Sequence, residues 1–474
     1  MNKLSVISLA CASLLSACSL IPTYERPAAP IDAQWPATVP QKTAEDHSNQ
    51  PAWDKGWKDF YADPTTQELI SIALANNRDM RVAVLNIEQT RAQLGLARAN
   101  QFPAVNATIT GSRTPSTSGG ITSAYTGGLT FTAYELDFFG RVASLKEQAL
   151  AQYLATSEAS KTVQISLMAS VAQGWLNLLA DEDLLKTSRQ TLATREESLK
   201  LTELKRSYGA SSDLDWRLAQ TVLESARVTL AQQLLKRAQD ENALALLLGQ
   251  SLPAAARAEL AKGQLERQQF ASLPPGLPSD MLTYRPDIHQ SEQLLLASNA
   301  NIGAARAAFF PSITLTAGAG SASGELSGLF KDGSWGWTLA PSLVLPIFNA
   351  GANQAKLDTA RVARDIALAQ YEKTIQTAFS EVANALAGQD TLAQQLQSSE
   401  ALLKAESERT RLTKLQFDNG AASQLDWLDA QRSLFTTQQS LVQTRLAYLQ
   451  NQITLFKSLG GGRPDVNTTG ASAP

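Results

Sequence analysis

YGASSDLDWRLAQ, residues Tyr208–Gln220, returns near the end of the chain as NGAASQLDWLDAQ, residues Asn419–Gln431. The two stretches share eight residues in the same order, at an offset of 211. A second pair lies upstream, where Ala97–Pro103 (ARANQFP) matches Ala305–Pro311 (ARAAFFP) at an offset of 208. Solenoid repeats have periods of about 20 to 50 residues. The longer period here indicates that one whole structural unit is duplicated, which gives the chain an internal two-fold repeat.

Each repeated stretch follows a segment with the composition of a very long helix. Segments 141–207 and 352–419 lack proline, and each holds a single glycine. Uninterrupted patterns of about 67 residues are typical of coiled coils, and at 1.5 Å per residue such a helix is roughly 100 Å long. A return helix of about 36 residues follows, 213–248 in the first copy. Shorter helices at 66–101 and 286–310 precede the strands, so each copy is predicted to be a helical hairpin whose return side is made of two helices.

The last helix carries a seven-residue apolar spacing that is typical of helices winding around neighbours. Arg432 and Gln439 hold the two polar positions of this spacing. Its apolar positions are Leu425, Leu428, Phe435, Val442, Leu446, Leu449, Ile453 and Phe456.

Four short segments alternate apolar residues with Thr, Ser or Gly, which predicts strands with one apolar and one wet face. They lie at about 104–113, 125–137, 312–321 and 335–347. In the last of them one face holds Trp335, Trp337, Leu339, Leu343 and Leu345, with the aromatics at one end, as in a lipid-facing strand. Pro341 predicts a bulge or bend there.

The strands raise the question of how a membrane would be crossed. Away from the N-terminus, no window of about 20 consecutive apolar residues predicts a transmembrane helix. Four strands cannot close a barrel, because the smallest known have about eight, and an open sheet edge is not tolerated in lipid. Several chains must therefore contribute strands. Two chains would give eight and three would give twelve, and the spacing alone leaves both open.

The start of the chain resembles a bacterial lipoprotein signal. Lys3 precedes the short apolar stretch Leu4–Leu15, and Leu15-Ser16-Ala17-Cys18 is a small-residue cleavage site. Cys18 is then predicted to be acylated, and Ser19 after it favours delivery to the outer membrane. The other cysteine, Cys11, lies in the removed segment, so no disulfide is expected.

Composition excludes several function classes. The net charge is −3 and no basic face is implied, so nucleic acid is not an expected partner. The two histidines, His47 and His289, do not suggest a metal site. No phosphate loop and no nucleophile with a base in reach is apparent, so neither an enzyme nor a cofactor is predicted.

The fold class predicted is mainly α with a small β part. Its expected divisions are a signal peptide (1–17), a lipidated N-terminal segment (18–65), repeat 1 (66–249, turn at 208–212), a connector (250–281), repeat 2 (282–460, turn at 419–423) and a tail (461–474).

Motifs along the whole chain resemble the outer-membrane factor family of Gram-negative efflux pumps, the TolC-like ducts, and most closely the OprM-type lipoprotein branch. The resemblance covers essentially Cys18 to Gly462. It rests on Gly56–Phe60 with Asp63-Pro64, Tyr134–Arg141, Leu277–Asp280, Arg285-Pro286-Asp287, Ile302–Pro311 and Leu428–Ser433.

The resemblance implies a homotrimer without enzymatic activity, in which three chains form a twelve-stranded barrel in the outer membrane and a helical tunnel in the periplasm. Such a duct receives substrates from an inner-membrane pump of the RND type through a periplasmic adaptor protein. Residues at the two turns become the adaptor docking surface: Gly209, Ala210, Ser211, Gly420, Ala421 and Ala422.

Spacing predicts the local structure of both turns. Gly209 and Gly420 suit the left-handed residue that ends a helix. Ser212 with Asp215, and Ser423 with Asp426, have the spacing of capping boxes that open the return helices. Asp429 is different, because its counterpart in the first copy is Leu218.

Asp426 and Asp429 lie three residues apart on one helix face, so three chains would present up to six carboxylates. The resemblance places such a ring, with Leu425 as its apolar partner, at the periplasmic gate. A ring of this kind prefers cations, and like charges raise carboxyl pKa values. For Asp426 the alternative is that the carboxylate only caps the helix. For Asp429 the alternative is that the side chain only lies on a solvated helix face.

Ala422 departs from the family's gates, which carry a basic residue at this position. We therefore expect Asp215 to help hold the closed state, together with Lys414 or Arg411 of a neighbouring helix.

Three other functions remain open. A structural coiled-coil lipoprotein is disfavoured by the four lipid-facing strands. Protein secretion and metal-ion efflux are the alternatives within the duct class.

Overall fold

The computed structural model describes residues 19–32, 34–35, 56–115, 119–263, 265–271 and 285–462. The predicted signal peptide, Cys18 and most of the predicted tail lie outside these residues. The described chain is mainly helical with one four-stranded sheet, which confirms the predicted fold class. In chain order its helices are α1 (Trp57–Phe60), α2 (Pro64–Asn76), α3 (Arg78–Ala99), α4 (Arg141–Ser207), α5 (Asp213–Leu248), α6 (Ala254–Leu260), α7 (Pro286–Ala307), α8 (Ala352–Asp418) and α9 (Gln424–Ser458).

The two long helices have the predicted length and occupy matching places in the repeat. α4 and α8 have 67 residues each, and their partners α5 and α9 have 36 and 35. By chain contacts the molecule divides into two compact units. Of the described residues, the sheet unit holds those within 1–29, 85–158 and 288–374, and the helical-core unit holds those within 30–84, 159–287 and 375–474.

In the sheet unit the four strands are antiparallel in the order β1-β2-β3-β4. They are β1 (Asn106–Pro115), β2 (Ile121–Glu135), β3 (Ser312–Ser323) and β4 (Trp335–Val344). β1 and β4 are the edge strands. Along β4, Trp335 and Trp337 are each 69% exposed and Leu339 is 56% exposed, so the predicted apolar face is uncovered in the single chain.

The bulge predicted at Pro341 is absent. Pro341 pairs with Leu315 in an unbroken register. Within one chain β4 pairs on one side only, so a residue whose backbone N–H would point away from β3 can be proline without a break in this register. The irregularity lies instead in β2, between Phe131 and Tyr134, where Ala133 has a φ of 54°. A left-handed residue of this kind bends the strand.

A single helix over 66–101 was also the wrong expectation, because the chain breaks at Asn77 between α2 and α3. Asn77 has an extended backbone, with a ψ of 134°. Its side chain donates to the Leu247 carbonyl at 2.9 Å and accepts from the Met80 N–H at 2.9 Å. A side chain that caps a new helix start favours the break over a continuous helix.

In the helical-core unit an aromatic cluster explains the Gly56–Phe60 motif. Phe60 stacks on Phe456 with ring centroids 4.1 Å apart, and on Phe270 at 5.2 Å. Phe60 and Tyr61 are fully buried. One stretch of α4 is long and apolar enough to cross a membrane by length and composition, where no transmembrane helix was expected. More than half of that stretch is buried within the protein, and Val171, Trp175 and Leu178 of α4 belong to this core. A core helix accounts for its composition.

Candidate functional site

Two tight turns in the helical-core unit reverse the long helices, tip 1 (residues 208–212) and tip 2 (residues 419–423). Gly209 has a φ of 73° and Gly420 a φ of 76°. Beyond Gly209 the Ala210 N–H donates to the Lys205 carbonyl at 2.8 Å, and beyond Gly420 the Ala421 N–H donates to Gln416 in the same way. A Cβ at either glycine would meet nothing within 4 Å. The requirement for glycine is therefore the left-handed backbone, not space.

Both return helices open with the predicted capping boxes. The Asp215 N–H donates to Ser212 Oγ at 3.1 Å, and Asp215 Oδ2 accepts from the Ser212 N–H at 3.1 Å. In tip 2 the corresponding distances between Ser423 and Asp426 are 3.2 and 3.0 Å. The serine hydroxyl also donates to the same carboxylate oxygen, at 2.7 Å in tip 1 and 2.6 Å in tip 2. This hydroxyl bond first, and the bond from the serine N–H second, lower the pKa of Asp215 and of Asp426 below its ordinary value. Within one chain the caps therefore act against the pKa increase that a carboxylate ring predicts.

We expect Ser423→Ala to destabilise the second hairpin by about 1 kcal/mol, the usual contribution of such a cap. The pKa of Asp426 is lowered in the folded protein. The contribution of its carboxylate to the free energy of unfolding is therefore present above the ordinary carboxyl pKa, and it is lost as the pH falls through the lowered pKa. Urea unfolding at pH 7 and pH 3 measures both effects, with Ser440→Ala on the exposed face of α9 as the control. An equal loss of unfolding free energy in Ser423→Ala and Ser440→Ala would contradict a capping role for Ser423.

Asp429 lies one turn further along α9 and already has a partner. Arg432 Nη2 is 2.5 Å from Asp429 Oδ1, and both side chains are accessible to solvent. Leu425 is 60% exposed, whereas Leu428 is buried. The seven-residue spacing predicts Arg432 at a polar position of the helix seam, and its side chain is 72% exposed. The sequence does carry a signal for this ion pair, because an acid followed by a base three residues later on a helix places the two side chains side by side.

A buried arginine joins the two hairpins near these residues. Arg195 of α4 is 4% exposed, and its Nη1 donates to Gln431 Oε1 of α9. Burial, and secondly the charge of Arg432, lower the pKa of Arg195 to about 10. Among the described residues no carboxylate forms a salt bridge with Arg195. The repulsion between the two guanidinium groups favours the outward position of Arg432, over Asp429.

Two further contacts tie the same hairpins together. Gln424 Nε2 donates to Thr202 Oγ1 at 3.4 Å, and Lys205 Nζ lies 4.7 Å from the centre of the Phe417 ring. Cation–π contacts of this kind at exposed sites contribute about 0.5 to 1 kcal/mol. The contacts span more than 200 residues of sequence, so no local pattern predicts them.

The cations expected to pair with Asp215 have partners on their own helix. Lys414 Nζ is 2.7 Å from Asp418 Oδ2, and Arg411 is 2.8 Å from Glu408. Asp215 is held by the serines of its own turn. A pairing of Asp215 with either cation of a neighbouring chain stays a prediction, and it would have to displace these local contacts.

The small residues of the tips are accessible. Gly209, Ala210, Gly420 and Ala421 are exposed, while Ser211 and Ala422 are half-buried. Two large side chains at this end of the first hairpin are also exposed, Tyr208 of tip 1 at 81% and Leu214 of the first turn of α5 at 67%. The first tip therefore offers an apolar surface beside its small residues. Across the part of the chain that the structure describes, no group of three or more His, Cys, Asp or Glu side chains is placed to hold a metal ion.

Comparison with known proteins gives consistent results over nearly the whole chain. A family model described as outer membrane efflux protein matches residues 69–250 and 277–461. The probable efflux pump outer membrane protein TtgC of Pseudomonas putida is 47% identical over 467 residues, which cover 97% of this chain and 96% of that protein. The outer membrane protein OprJ of Pseudomonas aeruginosa is 41% identical and covers 96% of this chain and 95% of its own.

Solved structures share the fold. A membrane protein from Pseudomonas aeruginosa matches with a TM-score of 0.86 and 41% identity, covering 94% of this chain and 98% of that one. The open state of the MtrE outer membrane channel from Neisseria gonorrhoeae matches with a TM-score of 0.85 and 39% identity, with the same coverage.

Proposed function

The chain belongs to the outer membrane efflux protein family, and we propose that it is the exit duct of a tripartite multidrug efflux system in the Gram-negative outer membrane. The observation that carries this is its end-to-end similarity to TtgC, named as an efflux pump outer membrane protein. Relatives at 43 to 47% identity include proteins named for antibiotic and toluene efflux. These names support the export of small molecules over protein secretion.

The duct is a homotrimer in this proposal. The sheet of one chain ends in the edge strands β1 and β4, and an unpaired edge is excluded from lipid. Three copies supply twelve strands, so that β4 of one chain pairs with β1 of the next. The exposed faces of Trp335 and Trp337 then meet lipid near the membrane interface.

The N-terminus carries a lipid anchor at Cys18, a palmitate-bearing cysteine left by cleavage after residue 17. The relatives are named as outer-membrane proteins, which supports an outer-membrane location for this chain. The expected divisions of the chain, from the lipidated segment 18–65 to the tail 461–474, are part of this proposal. Substrate passes through the trimer without covalent chemistry, so the protein is not an enzyme and needs no cofactor.

The gate of the duct lies at Leu425, Asp426 and Asp429, with Asp215 in the first hairpin. Leu425 and Asp426 are exposed at the start of α9, as residues that line an opening must be. Asp429 with Arg432 forms an ion pair beside them. The tips, Gly209–Ser211 and Gly420–Ala422, receive the adaptor, and the exposed side chains of Tyr208 and Leu214 extend that surface.

Expression in a strain that lacks its own outer-membrane efflux component, together with a matching adaptor and RND-type pump, tests the function. We expect the minimum inhibitory concentration of an exported antibiotic to rise at least fourfold. Tyr208→Glu with Leu214→Glu should abolish this gain while the trimer remains in the outer membrane, because charges would enter an apolar contact. Leu246→Glu, at an apolar residue of α5 that is 80% exposed and lies away from the tips and the strands, is the control. No gain with any pump, alongside restored protein secretion or metal resistance, would overturn the multidrug assignment.

A further inference from the structure

The β3–β4 loop (residues 324–334) folds back onto one face of its own sheet. A Cβ at Gly127 of β2 would lie 3.7 Å from Leu329 Cδ2, 4.0 Å from Phe330 Cζ and 3.7 Å from Ile109 Cγ1 of β1. Leu329 is only 3% exposed. The loop is therefore seated over β2 by a buried leucine, and the glycine leaves room for its close approach.

The face that the loop covers is the apolar face of the sheet. Strand pairing places Ile109, Gly127, Ser321 and Trp335 in one row across the four strands. The next row on this face, two residues along each strand, is Ala107, Leu129, Ala319 and Trp337. In the first row the two central positions are glycine and serine, so the strands alone would leave the apolar face interrupted there. Leu329 of the loop fills this gap.

Hydrogen bonds within the loop fix its shape. Ser334 Oγ lies 3.0 Å from the Leu329 carbonyl oxygen and 2.8 Å from the Lys331 carbonyl oxygen. At the base of the loop the Ala322 N–H donates to the Ser334 carbonyl at 2.9 Å. Because these bonds hold the backbone on both sides of Phe330, the seat of Leu329 also fixes where Phe330 lies.

The outer surface of the loop combines apolar and charged side chains. Phe330 is 80% exposed and Leu326 is 65% exposed. Lys331 and Asp332, which follow Phe330 directly, are also exposed. Single exposed apolar side chains are common on proteins, but this loop leads directly into Trp335, which is 69% exposed. Apolar side chains beside charged ones suit the boundary between the acyl chains and the headgroups of a lipid leaflet.

The order of the elements places the loop at one end of the sheet. β3 follows α7 and β4 leads into α8, so the loop lies at the end of the strands that is remote from these helices. In the proposed duct the helices are periplasmic, and this end of the sheet therefore lies at the outer leaflet. Aromatic side chains are enriched at such an interface.

We propose that the β3–β4 loop is a membrane anchor that binds lipid of the outer leaflet, with Leu326 and Phe330 among the acyl chains and Lys331 and Asp332 at the headgroups. The inference rests on the proposed barrel and adds lipid contact by a loop outside the strands. A second copy of the chain suits this surface less well, because neighbouring chains meet at the edge strands β1 and β4, whereas Leu329 lies over the inner strand β2. Three anchors hold the trimer at one depth, since charged side chains resist moving into the bilayer and apolar ones resist leaving it.

The test places the photoreactive residue p-benzoylphenylalanine at one of three positions of the full-length protein in cells. The positions are those of Phe330, of Trp337 on the apolar face, and of Thr338, which is next to Trp337 and so lies on the opposite face. After irradiation the trimer is purified from the outer membrane and its chains are weighed by mass spectrometry. We expect the fraction of chains that carry a lipid adduct to be at least fivefold higher at positions 330 and 337 than at 338.

A second variant tests the seat of the loop. Leu329→Ser, in the chain with the probe at 330, should lower the lipid adduct at least threefold, because the loop loses its buried contact. Ser327→Ala, at an exposed residue of the same loop, is the matched control and should leave the adduct unchanged. The probe at 337 in the Leu329→Ser chain should keep its lipid adduct, which shows that the sheet is intact.

The outcomes separate the anchor from the proposed barrel. A lipid adduct at 337 without one at 330 would overturn the anchor, and so would a cross-link between two chains at 330, which would mark a contact between copies. No lipid adduct at 337 would overturn the placement of the sheet in the membrane and the anchor with it. An unchanged adduct in Leu329→Ser would show that the contact of Leu329 with β2 does not position the anchor.

Discussion

Gly320→Val is expected to lower the amount of trimer in the outer membrane at least tenfold. Gly320 of β3 faces Gly128 of β2 directly. A Cβ on Gly320 would lie 2.3 Å from the Gly127 carbonyl oxygen and 2.6 Å from Gly128 Cα, both backbone atoms. Backbone atoms in a sheet cannot move aside without breaking its hydrogen bonds. A shift of register by one residue would turn every side chain of the strand to the opposite face.

Gly127→Val is the matched control for this prediction. Gly127 lies next to Gly128 in the inner strand β2, away from the strands that pair between chains, and a Cβ there would make only ordinary contacts, 3.7 Å from Ile109 Cγ1 and from Leu329 Cδ2. Quantitative blotting of unboiled outer-membrane fractions measures trimer for the two variants. Similar trimer amounts in both would show that the close approach of β2 and β3 is not required for assembly.

Much of the fold could be predicted because its signals are local and occur twice. Uninterrupted segments gave the lengths of α4 and α8, and Ser212 and Ser423 gave the starts of α5 and α9. The break at Asn77 was missed because it depends on a hydrogen bond to Leu247, 170 residues away. The bulge expected at Pro341 is wrong because Pro341 pairs with Leu315 in an unbroken register, and no local pattern predicts that pairing.

Less of the candidate site could be predicted, because some of its contacts join residues that are far apart in the sequence. Asp429 was found by comparing the two copies of the repeat, since Leu218 stands in its place in the first. Arg195 gave no signal, because one arginine among polar neighbours looks solvated, and its burial depends on Gln431 of another helix. The charge available at the site is therefore smaller than the carboxylates alone suggest, since Arg432 pairs with Asp429.

Ion selectivity of the trimer in planar bilayers should shift in opposite directions in two variants. Asp429→Ala removes a negative charge and leaves Arg432 unpaired, so the preference for cations should fall severalfold, and conductance should rise if the side chain narrows the opening. Arg432→Ala frees Asp429 and should strengthen the preference for cations. Both effects should weaken at high salt, because exposed charges are screened.

The double variant Asp429→Ala with Arg432→Ala should return to nearly wild-type selectivity, because the two changes cancel in charge. Asp418→Ala is the matched control, since it removes a carboxylate of another exposed pair, 2.7 Å from Lys414, without touching α9. If Asp418→Ala changes selectivity as much as Asp429→Ala, the effect is that of overall tip charge. If neither single variant at 429 or 432 changes it, this pair does not line the opening, and the constriction lies elsewhere along the helices.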